Sequence, residues 1–254
     1  MSFFHGVTVT NVDIGARTIA LPASSVIGLC DVFTPGAQAS AKPNVPVLLT
    51  SKKDAAAAFG IGSSIYLACE AIYNRAQAVI VAVGVEAAET PEAQASAVIG
   101  GVSAAGERTG LQALLDGKSR FNAQPRLLVA PGHSAQQAVA TAMDGLAEKL
   151  RAIAILDGPN STDEAAVAYA KNFGSKRLFM VDPGVQVWDS ATNAARKAPA
   201  SAYAAGLFAW TDAEYGFWSS PSNKEIKGIT GTSRPVEFLD GNVAFTQSRQ
   251  SREG

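Results

Sequence analysis

The chain has 254 residues, 47% of them hydrophobic and 17% charged, with a formal net charge of −1. That balance excludes a disordered polymer and supplies apolar surface for a sizeable core, in one large domain or two small ones. No block of Lys or Arg stands out, which argues against nucleic acid or an anionic membrane as partner, and no stretch reaches the length of a membrane span.

The N-terminal stretch MSFFHGVTVTN has neither a basic lead nor a long apolar run, so it does not read as a signal peptide. Over residues 1–20, Val7, Val9, Val12 and Ile14 alternate with Thr8, Thr10 and Asp13, the period of a strand. A strand at a chain end carries unpaired N–H and C=O groups. It either joins its own sheet or adds to another subunit's. Residues 25–33 (SVIGLCDVF) and 46–50 (PVLLT) are predicted strands. Ser51 is placed to cap a helix over 52–59 that Gly60 ends. Ser63 or Ser64 caps the next helix, which runs to about Arg75 with Ile65, Leu67, Ala68, Ala71 and Ile72 inward. The continuous apolar run VIVAV at 79–83 suits a strand buried on both faces of a parallel sheet.

From residue 86 to 124 the apolar content thins and Ala, Glu and Gly dominate, which predicts a small peripheral insertion with a short helix near 111–115. The α/β rhythm then resumes. Strands are predicted at 126–130, 152–156 and 178–181, the last two closed by Asp157-Gly158-Pro159 and Asp182-Pro183-Gly184. Ser134 is expected to cap a helix over 135–150, and Thr162 one over 163–172 with acidic residues in its first turn. Strands alternating with helices of this length imply an α/β fold, a mostly parallel sheet flanked by helices with right-handed crossovers.

A further helix opens after Pro199, which suits a first turn, and carries Ala202, Ala205, Leu207, Phe208 and Ala209 at helical spacing. Tyr215, Phe217 and Trp218 then crowd around Gly216 at the root of a polar loop, where aromatics are expected to lie against a surface. Short strands are predicted at 235–238 and 243–245, followed by a polar end over 246–254.

Chemistry-bearing motifs are sparse. Cys30 and Cys69 sit in apolar contexts and read as free buried thiols. Gly60-Ile61-Gly62-Ser63-Ser64-Ile65 is half a dinucleotide fingerprint without its third glycine, and it does not follow a strand. Gly117-Lys118-Ser119 resembles the end of a phosphate loop, but Gln112 stands where the leading glycine belongs. Asn160-Ser161-Thr162 matches a glycosylation acceptor, relevant only to a secreted eukaryotic protein. The only histidines are His5 and His133, too few with two cysteines for a zinc site. Hence no catalytic, cofactor or metal residues are assigned. His133, Asp157 and Asp182 all follow strands, where α/β enzymes place functional groups. They therefore define an alternative reading, a cytosolic α/β enzyme or nucleotide-binding protein. Its test is whether the three loops converge on one deep pocket. The plainer reading is a loop histidine and two turn aspartates.

Several stretches, taken in order, resemble one family. The segment AAGLFAWTDAEYGFW followed by SSPSNKEIKGI (204–229) is similar to the tail sheath proteins of contractile bacteriophages, in the group of P2-like phages and R-type pyocins. The lead HGVTVTNVDIGARTIALPASSVIGLCDVFTPG (5–36), with 46–60, 178–189 and 234–238, carries the same resemblance along the whole chain. What the resemblance implies is a structural subunit that assembles around a tail tube in stacked hexameric rings. The array contracts to drive the tube through the cell envelope, and no enzyme chemistry is needed.

The resemblance further implies an extended N-terminal arm (1–20) on a body (21–245), with Phe3, Val7, Val9, Val12, Ile14 and Arg17 pairing between subunits. The loop residues Trp218, Asn223, Lys224 and Lys227 are a second candidate intersubunit surface. The implied partners are other sheath subunits, baseplate and tail terminator proteins, and the tail tube protein. The tube is reached through a C-terminal part that the family carries past this chain, so this chain alone is expected to be a monomer or weakly associated. The implied place is a virion tail or pyocin particle, assembled in the bacterial cytoplasm.

Overall fold

A computed structural model of the chain describes residues 25–36, 39–189 and 192–236. The arm expected at 1–20, His5, the strand expected at 243–245, the second half of the one expected at 235–238 and the polar end at 246–254 lie outside the described residues.

Among the described residues, six strands form the main sheet: β1 (Ile27–Val32), β2 (Val47–Leu49), β3 (Ile80–Val85), β4 (Leu127–Val129), β5 (Ile153–Asp157) and β6 (Leu178–Val181). Their order is β2-β3-β1-β4-β5-β6. Every neighbouring pair is parallel except β2 with β3. The helices are α1 (Lys52–Phe59), α2 (Ser64–Tyr73), α3 (Pro91–Ile99), α4 (Gly117–Phe121), α5 (Gln137–Leu150), α6 (Asp163–Ala170) and α7 (Ser201–Tyr215).

Alternation along the strands divides the apolar side chains between two faces. Ile27, Leu29, Ile80, Ala82, Leu127, Val129 and Ile155 meet α1, α2 and α7 in one core cluster. Cys30, Val81, Val83, Leu128, Ala154 and Leu156 meet α3, α5 and the 3-10 turn Gly110–Asp116 in the other. The result is three layers, with a sheet buried on both sides, as the unbroken apolar run of β3 requires. Residues 86–124 pack more deeply than a peripheral insertion. Val98, Leu111 and Leu114 are fully buried in the second cluster, so a few well-spaced apolar residues do what the thin composition did not suggest.

Local signals explain several boundaries. Ser51 accepts from the Asp54 N–H to cap α1, Ser63 from Tyr66 to cap α2, and Thr162 from Ala165 to cap α6. Two expectations are corrected. Ser134 does not cap α5, which begins at Gln137 behind Gln136 with no side-chain cap. Its hydroxyl instead accepts from the Asp157 N–H at 2.8 Å, because the chain turns back toward β5 there. Pro199 lies outside the helix, since α7 starts at Ser201 behind Ala200.

A second sheet was not legible in the sequence. β7 (Val185–Asp189), β8 (Ala194–Ala198) and β9 (Gly231–Thr232) form an antiparallel sheet in the order β8-β7-β9. Val185 and Val187 turn inward onto the first core cluster while Trp188 is exposed.

Candidate intersubunit surface

Helix α7 is buried along most of its first three turns, packed on α2. Contact is close because Gly206 has no side chain. A Cβ there would stand 3.0 Å from the Ile72 carbonyl oxygen and 3.1 Å from its Cα. Past Thr211 the helix leaves the core. Trp210 is covered by the Arg75 guanidinium 3.6 Å from its ring centre, and meets Tyr215 edge-on at 5.6 Å. The Lys224 ammonium sits 3.7 Å over the Tyr215 ring. Two cations thus bracket two aromatic rings, an arrangement stabilised by the ring quadrupoles.

Gly216 ends α7 at φ 89°, a conformation only glycine adopts without strain, and the Trp218 ring folds over it. Phe217 and Trp218 meet edge-to-face at 5.1 Å. They are 73% and 75% exposed, so no surface among the described residues covers them. The loop below them is tied down by Ile226 and Ile229, which pack on the first core cluster. Of the other predicted loop residues, Asn223 turns the chain at φ 58° and is exposed, as is Lys227, while Lys224 is half-buried. Of the predicted residues, Lys224 thus sits on Tyr215, and Trp218 pairs with Phe217 just past the end of the same helix. Arg75, which covers Trp210, comes from a distant segment and left no sequence signal.

The strand ends form a separate polar seam. Asp31, buried at the end of β1, lies 3.2 Å from His133 Nε2 and accepts from the Ser64 hydroxyl at 2.8 Å. Asp157 accepts four hydrogen bonds, from the N–H groups of Gly132 and Ser201 and the hydroxyls of Ser134 and Ser201, at 2.6–3.2 Å. Because Ser201 opens α7, this carboxylate caps that helix from another element. Burial pushes the Asp157 carboxyl above its ordinary range, and the hydrogen bonds pull it back. Asp182 is fully buried against Arg234.

These groups do not share a cleft. A cavity of about 60 Å³ lies beside Asp31, lined by Ser64, Pro131, Arg196 and Tyr203, and His133, Asp157 and Asp182 are not among its walls. That is far below the several hundred Å³ of a small-molecule site. Each aspartate instead spends its lone pairs on neighbouring backbone and side chains. Among the described residues, no group of His, Cys, Asp or Glu could hold a metal ion, and no helix is long and apolar enough to cross a membrane. Cys30 and Cys69 are free and buried.

Comparison with known proteins agrees along the chain. Residues 106–245 match the family model of the phage tail sheath protein central domain, and residues 24–85 that of the tail sheath protein Gp18 domain III N-terminal region. The tail sheath protein of Escherichia phage P2 is 31% identical over 241 residues, covering 92% of this chain and 61% of that protein. The tail sheath protein of Burkholderia phage BcepMu is 37% identical over 160 residues, covering 60% of this chain and 34% of that one. In three dimensions, the helical sheath of the anti-feeding prophage in its contracted state matches with a TM-score of 0.58 at 21% identity. That match covers 93% of this chain and 60% of the other, and shows a shared fold. This chain thus spans about three fifths of the length of the P2 relative. With the central-domain model covering more than half of the chain's 254 residues, the chain belongs to the phage tail sheath protein family.

Proposed function

We propose that the protein is the structural subunit of a contractile tail sheath, working by contacts with copies of itself. The observation that carries this reading is the family match running in order through both halves of the chain, 24–85 and 106–245. It is supported by strand-end carboxylates spent on internal hydrogen bonds, with no common cleft. The exposed pair Phe217 and Trp218 just past α7 supplies an aromatic face, the composition of an interface core. Trp218, Lys224 and Lys227, with Asn223 at the turn, are proposed to meet a neighbouring subunit there. Phe3, Val7, Val9, Val12, Ile14 and Arg17 are proposed to pair with a neighbour's sheet edge as an arm.

In this reading subunits stack as hexameric rings around a tail tube and shift from an extended to a compact array on contraction, driving the tube through the cell envelope. Rigid three-layer bodies slide while the joining strands keep their backbone pairing. Tube, baseplate and terminator proteins are the other proposed partners. The proposed place is the tail of a virion or pyocin particle assembled in the bacterial cytoplasm.

Electron microscopy of the full-length protein expressed with its tube protein tests the proposal. Striated sheaths or hollow polysheaths support it. Persistent monomers at high concentration, across variants of salt and tube, overturn it.

A further inference from the structure

The stretch from Thr230 to Arg234 crosses the ends of β5, β6 and β7 as a strap. Its backbone is held at two points, Thr230 N–H to the Gln186 carbonyl and Ser233 N–H to the Gly184 carbonyl, both at 2.8 Å. Two residues of β9 are too few to hold such a strap alone. Side chains complete the attachment. The Ser233 hydroxyl donates to Asn160 Oδ1 at 2.6 Å, and the same oxygen accepts from the Gly184 N–H at 3.1 Å. Asn160 turns the chain at φ 52° and gives its own N–H to Asp182 Oδ2 at 2.7 Å.

Arg234 closes the knot. One guanidinium nitrogen lies 2.6 Å from Asp182 Oδ1 and 2.5 Å from Asp163 Oδ1. The side chains of Asp182, Arg234 and Asp163 are 0%, 17% and 24% exposed. Asp182 is pressed on Gly158, where a Cβ would stand 2.5 Å from its Oδ2. The carboxylate therefore cannot swing out to water unless the β5–α6 turn moves. Breaking the contact strands a buried charge, which makes the pair harder to open than a surface one. Asp163 is the first residue of α6, so Arg234 ties the strap to a strand end and a helix start together.

We propose that Arg234 is an ionic clasp that holds the strap on the α/β body and fixes where the following chain leaves it. Force applied beyond residue 236 is then delivered to the ends of β5 and β6 and the start of α6, rather than peeling β9 from β7. The clasp is a property of the body itself, so its failure would leave the sheath reading untouched.

Hydrogen exchange on the full chain tests it, read at the Thr230 and Ser233 amides against β5 amides as internal reference. Arg234→Ala should speed exchange at Ser233 and Thr230 by about tenfold or more while β5 stays protected, because only a local opening is made easier. Arg234→Lys should fall between, since it keeps the positive charge but not the length and fixed shape that bring one guanidinium nitrogen against both carboxylates. Raising salt to about 0.5 M should leave the wild-type strap protected, as a largely buried pair is weakly screened. Exchange at Ser233 unchanged in Arg234→Ala, or rising in step with β5, overturns the clasp. Should Arg234→Ala fail to fold, Asp163→Asn removes the more exposed partner alone. Faster exchange confined to the strap supports the proposal, and no change in Asp163→Asn overturns it.

Discussion

Replacing Asp157 should do more damage than replacing any exposed acidic residue. Asp157→Ala leaves the N–H groups of Gly132 and Ser201 without acceptors and removes the distant cap of α7. The buried Ser201 N–H left unpaired costs about 1–3 kcal/mol, the Gly132 N–H costs less because that residue is exposed to water, the Ser134 and Ser201 hydroxyls can re-aim, and the lost desolvation of the carboxylate returns part of the total. The net expectation is about 2 kcal/mol at neutral pH, against about 1 kcal/mol for Asp157→Asn, whose oxygen still serves one donor. Urea denaturation followed by tryptophan fluorescence reads both. A loss below about 1 kcal/mol for Asp157→Ala, with an unchanged m-value, would refute the assignment.

The pH dependence is a sharper check. Burial raises the Asp157 carboxyl above its ordinary value of 3.8, so the folded state binds the proton more tightly than the unfolded one. Its contribution is fully present below 3.8 and is lost as pH rises through the folded value. The stability of wild type relative to Asp157→Asn should therefore fall as pH rises through that window and then level off. A difference that grows with pH would sink the reasoning.

Gly206→Leu should force α2 and α7 apart, since the Ile72 backbone leaves no room for a side chain, and cost about 1–3 kcal/mol in a denaturant titration. Phe217→Ser removes an exposed ring, so the melting temperature should change by no more than about 0.5 kcal/mol would produce, while sheath assembly by the full-length protein should weaken in sedimentation and microscopy. Burial pushes the Cys30 and Cys69 thiols well above their ordinary value, so a disulfide reagent such as Ellman's should titrate neither in the native protein at pH 8 and both after unfolding.

Much of the architecture could be read from the sequence because local and long-range demands agree. Ser51, Lys52–Phe59 and Gly60 specify a cap, a helix and a stop without help from elsewhere. The unbroken run in β3 needs cover on both faces and receives it. What was not legible depends on partners remote in the chain. Ser134 has the look of a helix cap but is claimed by Asp157, and nothing near it in sequence says so. β8 reads Ala-Ala-Arg-Lys-Ala, with no period-two signal, and is a strand only because β7 pairs with it. The aromatics after α7 read as surface-seeking, but their spacing does not say which of them finds cover among the described residues. Phe217 and Trp218 do not, since helix packing ends before them and only Tyr215 gains a cation from the loop. Arg75 reaches Trp210 across the α2–α7 contact, a meeting that spacing along the chain cannot show.

Among the described residues, the two outermost strands of the main sheet are short, with three residues in β2 and four in β6. A long flat border would invite other chains to zip on in any register, the usual route to tangled aggregates. Borders this brief give a stranger little backbone to copy. Under the assembly proposed above, selectivity between neighbouring bodies would then come from side-chain patches rather than from these borders.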